Sequence, residues 1–259
     1  MTTLNHYRTG SGEPLVLVHG VGSRWEVWEP IIGTLAESFD VIAVDLPGFG
    51  GSEPLADTTV TTLADALAAF LAAEGLEQPH LAGNSMGGGI VLDLAARGLA
   101  RSATAFSPIG CWGTTGRIWC QQALGRAKQL LTAARPAVPI VLGNTVGRSA
   151  TLGLVFGKPW QLDTRMSMET VEGLLGAAGF DAALASFTNF RLPEPAALAD
   201  VPITVAWGNR DILLTYATQA RRARALLPGA RHVTLHGSGH TPFSDDPAGC
   251  ARLLLDRIG

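Results

Sequence analysis

Gly83-Asn84-Ser85-Met86-Gly87 stands between a short apolar run, His80–Ala82, and an apolar helical pattern that continues to about Ala96. The spacing G-x-S-x-G between strand and helix raises a serine onto a sharp, strained turn. Its central residue sits in a tight φ/ψ corner, so the positions two residues away must be nearly free of side chain. Gly83 and Gly87 meet that need. The helix that follows aims its first N–H groups at the serine, where negative charge develops during acyl transfer. Plain tight turns also produce this pattern, so its weight depends on partners elsewhere in the chain.

An activated serine needs a base within reach and an acid to orient that base. His240, in Gly237-Ser238-Gly239-His240-Thr241-Pro242, follows the apolar run Arg231–Leu235 and falls on a loop at its carboxyl end. A surface-loop histidine is the alternative reading. His232 lies within that run and His236 ends it, which makes both weaker candidates. Asp211 follows the run Ile203–Trp207 through Gly208-Asn209-Arg210, where an orienting carboxylate belongs. It could equally cap the next helix. The chain order is Ser85, Asp211, His240, which is the α/β-hydrolase order among serine triads. For the oxyanion, the backbone N–H groups of Met86 and Val21 are the candidate donors. Val21 sits in His19-Gly20-Val21-Gly22, directly after the buried run Leu15–Val18. His19 reads as a loop-bracing residue.

Together these pieces resemble the α/β-hydrolase superfamily. The stretch Asp45-Leu46-Pro47-Gly48-Phe49-Gly50-Gly51-Ser52 is similar to that family's D-x-P-G-x-G-x-S loop, and Ser85 separates the chain from branches with an aspartate nucleophile. The resemblance covers residues ~12–107 and ~200–259. It implies an α/β-hydrolase fold, a mostly parallel doubly wound sheet with an inserted helical cap. The stretch Gly83–Gly88 resembles carbon–carbon bond hydrolases of aromatic ring-fission products, and ordinary esterases and lactonases as well. One departure stands out. Family members often have two strands before the first long buried one, and here only Leu4–Thr9 is available. An edge strand is therefore expected to be absent or very short.

A chain of 259 residues with 47% hydrophobic and 16% charged residues fits one α/β domain with an insertion. The net charge is −3 and no Lys/Arg run or basic patch is evident, which argues against nucleic acid as a partner. No apolar run approaches the length of a membrane span, and the N-terminus lacks a leader pattern, so a cytoplasmic protein is expected. Cys111, Cys120 and Cys250 lack metal spacing and read as free thiols. The expected site holds no metal and no cofactor. Its partner is a small-molecule substrate, and homo-oligomerisation is left open.

Six short runs read as strands buried on both faces: Leu15–Val18, Val41–Val44, His80–Ala82, Ala103–Phe106, Ile203–Ala206 and Arg231–Leu235. Helical stripes alternate with them, at Trp25, Trp28, Ile31, Ile32 and Leu35 and again at Leu63, Leu67, Phe70 and Leu71. Alternation implies a mostly parallel sheet that binds ligands beyond its carboxyl ends. It breaks between Pro108 and Pro195, where the patterns are helical except for a candidate strand at Ile140–Leu142. Residues 1–107 and 196–259 are thus expected to form the core and 108–195 a helical cap.

The cap's apolar residues point to a pocket for an acyl or aromatic group, with Trp112, Trp119, Trp160 and Phe187 as candidate lining. Arg165 and Arg191, with Arg117, are candidates to hold a substrate carboxylate. The expected activity is that of a serine hydrolase, a carboxylic ester hydrolase above all, cleaving a small, largely apolar ester, lactone or related carbonyl compound. Carbon–carbon hydrolysis of ring-fission products, a non-hydrolytic lyase or perhydrolase reaction, and a ligand-binding module on the same scaffold are the rival readings.

Overall fold

The computed structural model describes residues 3–256. Seven strands form one sheet: β1 (His6–Gly10), β2 (Glu13–Val18), β3 (Phe39–Val44), β4 (His80–Asn84), β5 (Ser102–Phe106), β6 (Ile203–Gly208) and β7 (Arg231–Leu235). Their order is β1-β3-β2-β4-β5-β6-β7. Only β1 runs antiparallel, pairing His6 with Val44 and Gly10 with Asp40, and every other pair is parallel. Each of the six apolar runs became a strand. Among the described residues a single strand, β1, precedes β2.

The alternation of side chains along β2 builds the two layers. Val16 and Val18 pack toward α2 (Val60–Ala73) and α3 (Met86–Ala96), while Leu15 and Leu17 pack toward α1 (Glu29–Leu35) and α10 (Pro247–Leu255). On the first side Leu63, Leu67, Phe70 and Leu71 form the buried stripe of α2. Thr59 and Thr62 start that helix with reciprocal side-chain-to-backbone bonds. On the second side Trp28 lies 4.0 Å from Phe243, ring centre to ring centre, beneath the carboxyl ends of the strands.

Between β5 and β6 the chain is helical: α4 (Thr114–Ala133), α5 (Val138–Leu142), α6 (Thr145–Leu152), α7 (Thr164–Gly176) and α8 (Phe180–Ser186). The strand expected at Ile140–Leu142 is instead part of α5. Pro139 stands in its first turn, where a missing N–H costs a helix nothing but would break a ladder. The short α9 (Arg221–Leu226) then lies between β6 and β7. Within the helical layer Val138, Leu142, Leu152, Phe156, Leu162 and Val171 form a small core of their own.

Candidate active site

Ser85 joins β4 to α3 with φ 57° and ψ −114°. A non-glycine residue in that region is strained by of order 1–3 kcal/mol and persists only where its surroundings hold it. Three backbone bonds do so: Ser85 N–H donates to Phe106 O at 2.9 Å, and Gly89 and Ile109 N–H donate to Ser85 O, each at 3.1 Å. The flanking glycines are required by close approach. A Cβ on Gly83 would stand 2.2 Å from Gly87 O, and one on Gly87 would stand 2.2 Å from Val18 O.

Asp211 and His240 meet the serine from the ends of β6 and β7. His240 Nδ1–H donates to Asp211 Oδ2 at 2.8 Å, and both residues are buried. Asp211 Oδ1 accepts from the N–H groups of Leu213 (3.0 Å) and Leu214 (2.8 Å). The next helical element starts only at Tyr216 with Thr215 as its N-cap, so Asp211 closes the turn after β6 and does not cap a helix. A proton fixed on Nδ1 leaves the lone pair of the neutral imidazole on Nε2. Nε2 is buried and has no hydrogen-bond partner among the described residues. Ser85 and His240 line one cavity, with no hydrogen bond between them among the described residues.

Asn84, which sequence reasoning passed over, clamps this arrangement. Its amide donates to Phe106 O (3.2 Å) and to the backbone carbonyl of His240 (3.0 Å), so the residue beside the serine holds the loop of the base. Asp245 was missed as well. Its carboxylate accepts from the N–H groups of Gly157 (2.7 Å), Lys158 (2.7 Å) and Gly239 (2.8 Å), which ties the helical layer to the His240 loop. Burial pushes its pKa upward, while these donors and Lys158 oppose the shift. Its only sequence signal is an acidic residue shortly after His240.

Across the cavity lies the loop after β2. Met86 opens α3, so its N–H has no acceptor inside the helix. The N–H of Val21 makes no hydrogen bond among the described residues. Gly20 lets the loop approach the serine, since a Cβ there would lie 3.0 Å from Ser85 Cβ. Asp45 braces the same loop from below by accepting from Trp25 N–H and Gly51 N–H, each at 2.8 Å. Ser52 Oγ donates to Asp45 O at 2.7 Å, which accounts for both ends of the Asp45–Ser52 motif.

His19 is fully buried in this brace. Its Nδ1–H donates to Gly20 O (2.8 Å) and its Nε2 accepts from Leu46 N–H (3.0 Å). Burial, the largest influence, lowers its pKa below the ordinary 6.5, with Asp45 and the bond to Gly20 opposing. A histidine depressed in the folded state stabilises the fold above its unfolded pKa, and that contribution is lost as pH falls through the folded value. Tm should therefore drop as pH falls from about 7 to 5. The drop should be shallower in His19→Asn, which starts from a lower Tm. Parallel pH profiles of the two proteins would reject this origin.

The cavity holds about 1080 Å³ of empty space, part of it open to solvent. Its walls are mainly apolar: Leu124 and Leu131 from α4, Leu152 from α6, Leu174 from α7, and Leu154 and Phe156 between them. Arg24, Glu26 and Glu169 are the charged residues of its wall. Arg24 Nε lies 3.3 Å from Glu26 Oε2, and burial pushes the Glu26 pKa upward.

The expected pocket residues stand elsewhere. Trp112 and Phe187 pack on each other in the core with ring centres 5.5 Å apart. Trp119 is half exposed and donates Nε1–H to Ile212 O, and Trp160 is also half exposed. Arg165 bridges Glu29 and Glu169 on the surface, Arg191 donates to the backbone carbonyls of Thr188 and Phe190, and Arg117 bonds Gln121 and Thr188. Large aromatics go where their area is buried or their polar atom is satisfied, and this chain builds its cavity from smaller branched side chains.

The three cysteines are free and buried, and burial pushes the Cys111 thiol up to about 12 and raises the other two. No cluster that could hold a metal occurs among the described residues. No helix among them is long and apolar enough to cross a membrane.

A family model described as the alpha/beta hydrolase fold matches residues 13–247. The chain is 28% identical over 283 residues to a pimeloyl-[acyl-carrier protein] methyl ester esterase of Yersinia pseudotuberculosis, covering 99% of this chain and 97% of that protein. It is 42% identical over 98 residues to a 2-hydroxymuconate semialdehyde hydrolase of Pseudomonas sp. CF600, covering 36% of this chain and 35% of the other. The structure of the esterase RhEst1 from Rhodococcus sp. ECU1013 superposes with a TM-score of 0.78 at 25% identity, covering 99% of this chain and 94% of that one.

Proposed function

The chain belongs to the alpha/beta hydrolase fold family, and on that premise we propose that it is a serine hydrolase cleaving a small, largely apolar ester or lactone. One observation carries this reading. Ser85 and a His240 already oriented by Asp211 face the same aliphatic cavity, with Nε2 buried and unpartnered. His240 takes the Ser85 proton as Oγ attacks the substrate carbonyl, and Asp211 stabilises the resulting imidazolium. The N–H groups of Val21 and Met86 receive the oxyanion. His240 returns the proton to the leaving alcohol, then activates water that releases the acid. Residues 108–195 act as a cap over this chemistry, with α4, α6 and α7 supplying the acyl wall and excluding water.

The likeness to the semialdehyde hydrolase supports carbon–carbon cleavage as a second reading. That reading wants an arginine in the cap to hold a substrate carboxylate, and Arg117, Arg165 and Arg191 all lie outside the cavity wall. An ester or lactone needs no such group.

Hydrolysis of p-nitrophenyl acetate, butyrate and octanoate, with Ser85→Ala as control, tests the proposal. Serine-dependent release with a chain-length optimum is the expected result. Serine-independent release would sink it, as would no release by a folded protein from any ester or lactone offered. Leu131→Trp, which fills space where α4 packs on α7, should lower kcat/KM for octanoate about tenfold and spare acetate. An equal loss on both substrates would remove Leu131 from the acyl wall.

A further inference from the structure

Whole-chain composition hides a charge asymmetry in the helical layer. No acidic residue occurs between Ile109 and Leu162, and the same interval carries Arg117, Arg126, Lys128, Arg135, Arg148 and Lys158 in a chain of net charge −3. The basic residues are scattered along the sequence and form no run. Lys128 is neutralised by Asp181, Arg117 bonds Gln121 and Thr188, and Lys158 donates to Asp245 O. Arg126 and Arg135 are exposed, with neither a hydrogen bond nor an ion pair among the described residues. Arg148 donates only to the backbone carbonyl of Leu142, so its charge is also unmatched.

The same corner turns apolar side chains outward. Leu130, Ile140 and Val146 are 70%, 79% and 77% exposed, with Val141 beside them. Chain connection and helix packing tie them to one corner of the layer. Leu130 is in the last turn of α4, the turn Arg135–Ala137 runs straight into α5, and α6 packs on α5 where Gly147 meets Val141 O. The short α5 is apolar on both sides: Val138 and Leu142 enter the layer's core, and Ile140 and Val141 face solvent. Single exposed apolar residues are ordinary. Several exposed apolar side chains on connected helices, with unmatched arginines on the same segment, have the composition of a surface that lies in a headgroup layer.

We propose that the corner formed by α4, α5 and α6 docks on an anionic lipid bilayer. Arginines meet the negative surface potential while Leu130, Ile140 and Val146 enter the interface. A second copy of the chain is disfavoured, because self-pairing of this face sets like charges together. Nucleic acid would match the arginines and leave the protruding aliphatic groups without a partner. Docking also places the cavity near lipid, since Leu131 and Leu152 of the same helices line its wall. The surface does not depend on the serine chemistry.

Co-sedimentation with phosphatidylglycerol/phosphatidylcholine vesicles, against phosphatidylcholine alone, tests the proposal without any need for turnover. Partitioning should be at least about tenfold stronger on the anionic vesicles and should weaken as salt rises. Arg126→Gln/Arg135→Gln should weaken it roughly 30-fold, and Ile140→Asp/Val146→Asp should abolish it. Both variants should keep the wild-type thermal melt, because none of the four side chains is buried. Equal partitioning on both vesicle types, or variants that bind like wild type, would overturn the proposal. So would a concentration-dependent dimer that Ile140→Asp/Val146→Asp dissolves, which would assign the face to a second copy.

Discussion

Ser85→Ala should lower kcat by roughly 10⁴–10⁶ on any ester the protein turns over, while its Tm stays within a few degrees of wild type. The two effects separate because Ser85 Oγ makes no hydrogen bond among the described residues. The backbone bonds that hold the turn, to Phe106, Gly89 and Ile109, survive the substitution. Alanine keeps the Cβ and the strained φ of 57°, so the fold loses only a hydroxyl. Residual turnover would come from the oxyanion donors and substrate positioning. A kcat within tenfold of wild type, measured on the best p-nitrophenyl ester, would mean that another group attacks the substrate.

Asp211→Asn should cost up to about 10⁴ in kcat with an intact fold. Asparagine retains the Oδ1 that accepts from Leu213 and Leu214, so the turn after β6 persists. Its amide now presents N–H to His240 Nδ1, which must become an acceptor. The imidazole proton moves to Nε2, and the base can no longer accept from Ser85. Because the loss lies in proton transfer, kcat should fall far more than KM rises. A fall below tenfold would reduce Asp211 to holding the turn after β6.

The strands and the elbow were legible because each rests on short-range physics. A buried parallel strand is a continuous apolar run, and the elbow glycines answer clashes within a few residues and with β2. The order Ser85, Asp211, His240 could be read because each follows a strand and parallel strands deliver their ends to one edge. The cavity was not legible. Leu124, Ala127 and Leu131 do recur on one face of α4, but periodicity marks a buried face without saying whether a neighbour or a void lies opposite. Aromatic size misled for the same reason, since Trp112 is buried against Phe187 and Trp119 finds its partner at Ile212 O. Asn84 and Asp245 act through backbone groups far away in sequence, and no local pattern encodes such contacts.

The junction at Asp245 constrains how the helical layer could be exchanged between relatives. One carboxylate gathers N–H groups from residues 157, 158 and 239, and Thr241 N–H donates to Val155 O at 2.8 Å. Gly157 and Gly239 touch backbone to backbone, since a Cβ on Gly239 would stand 2.4 Å from Gly157 N. Segments 155–158 and 237–245 thus fit each other as a single joint split across the chain. A chimera that swaps the helices alone inherits half of a joint, and one that moves both segments together carries its own fit.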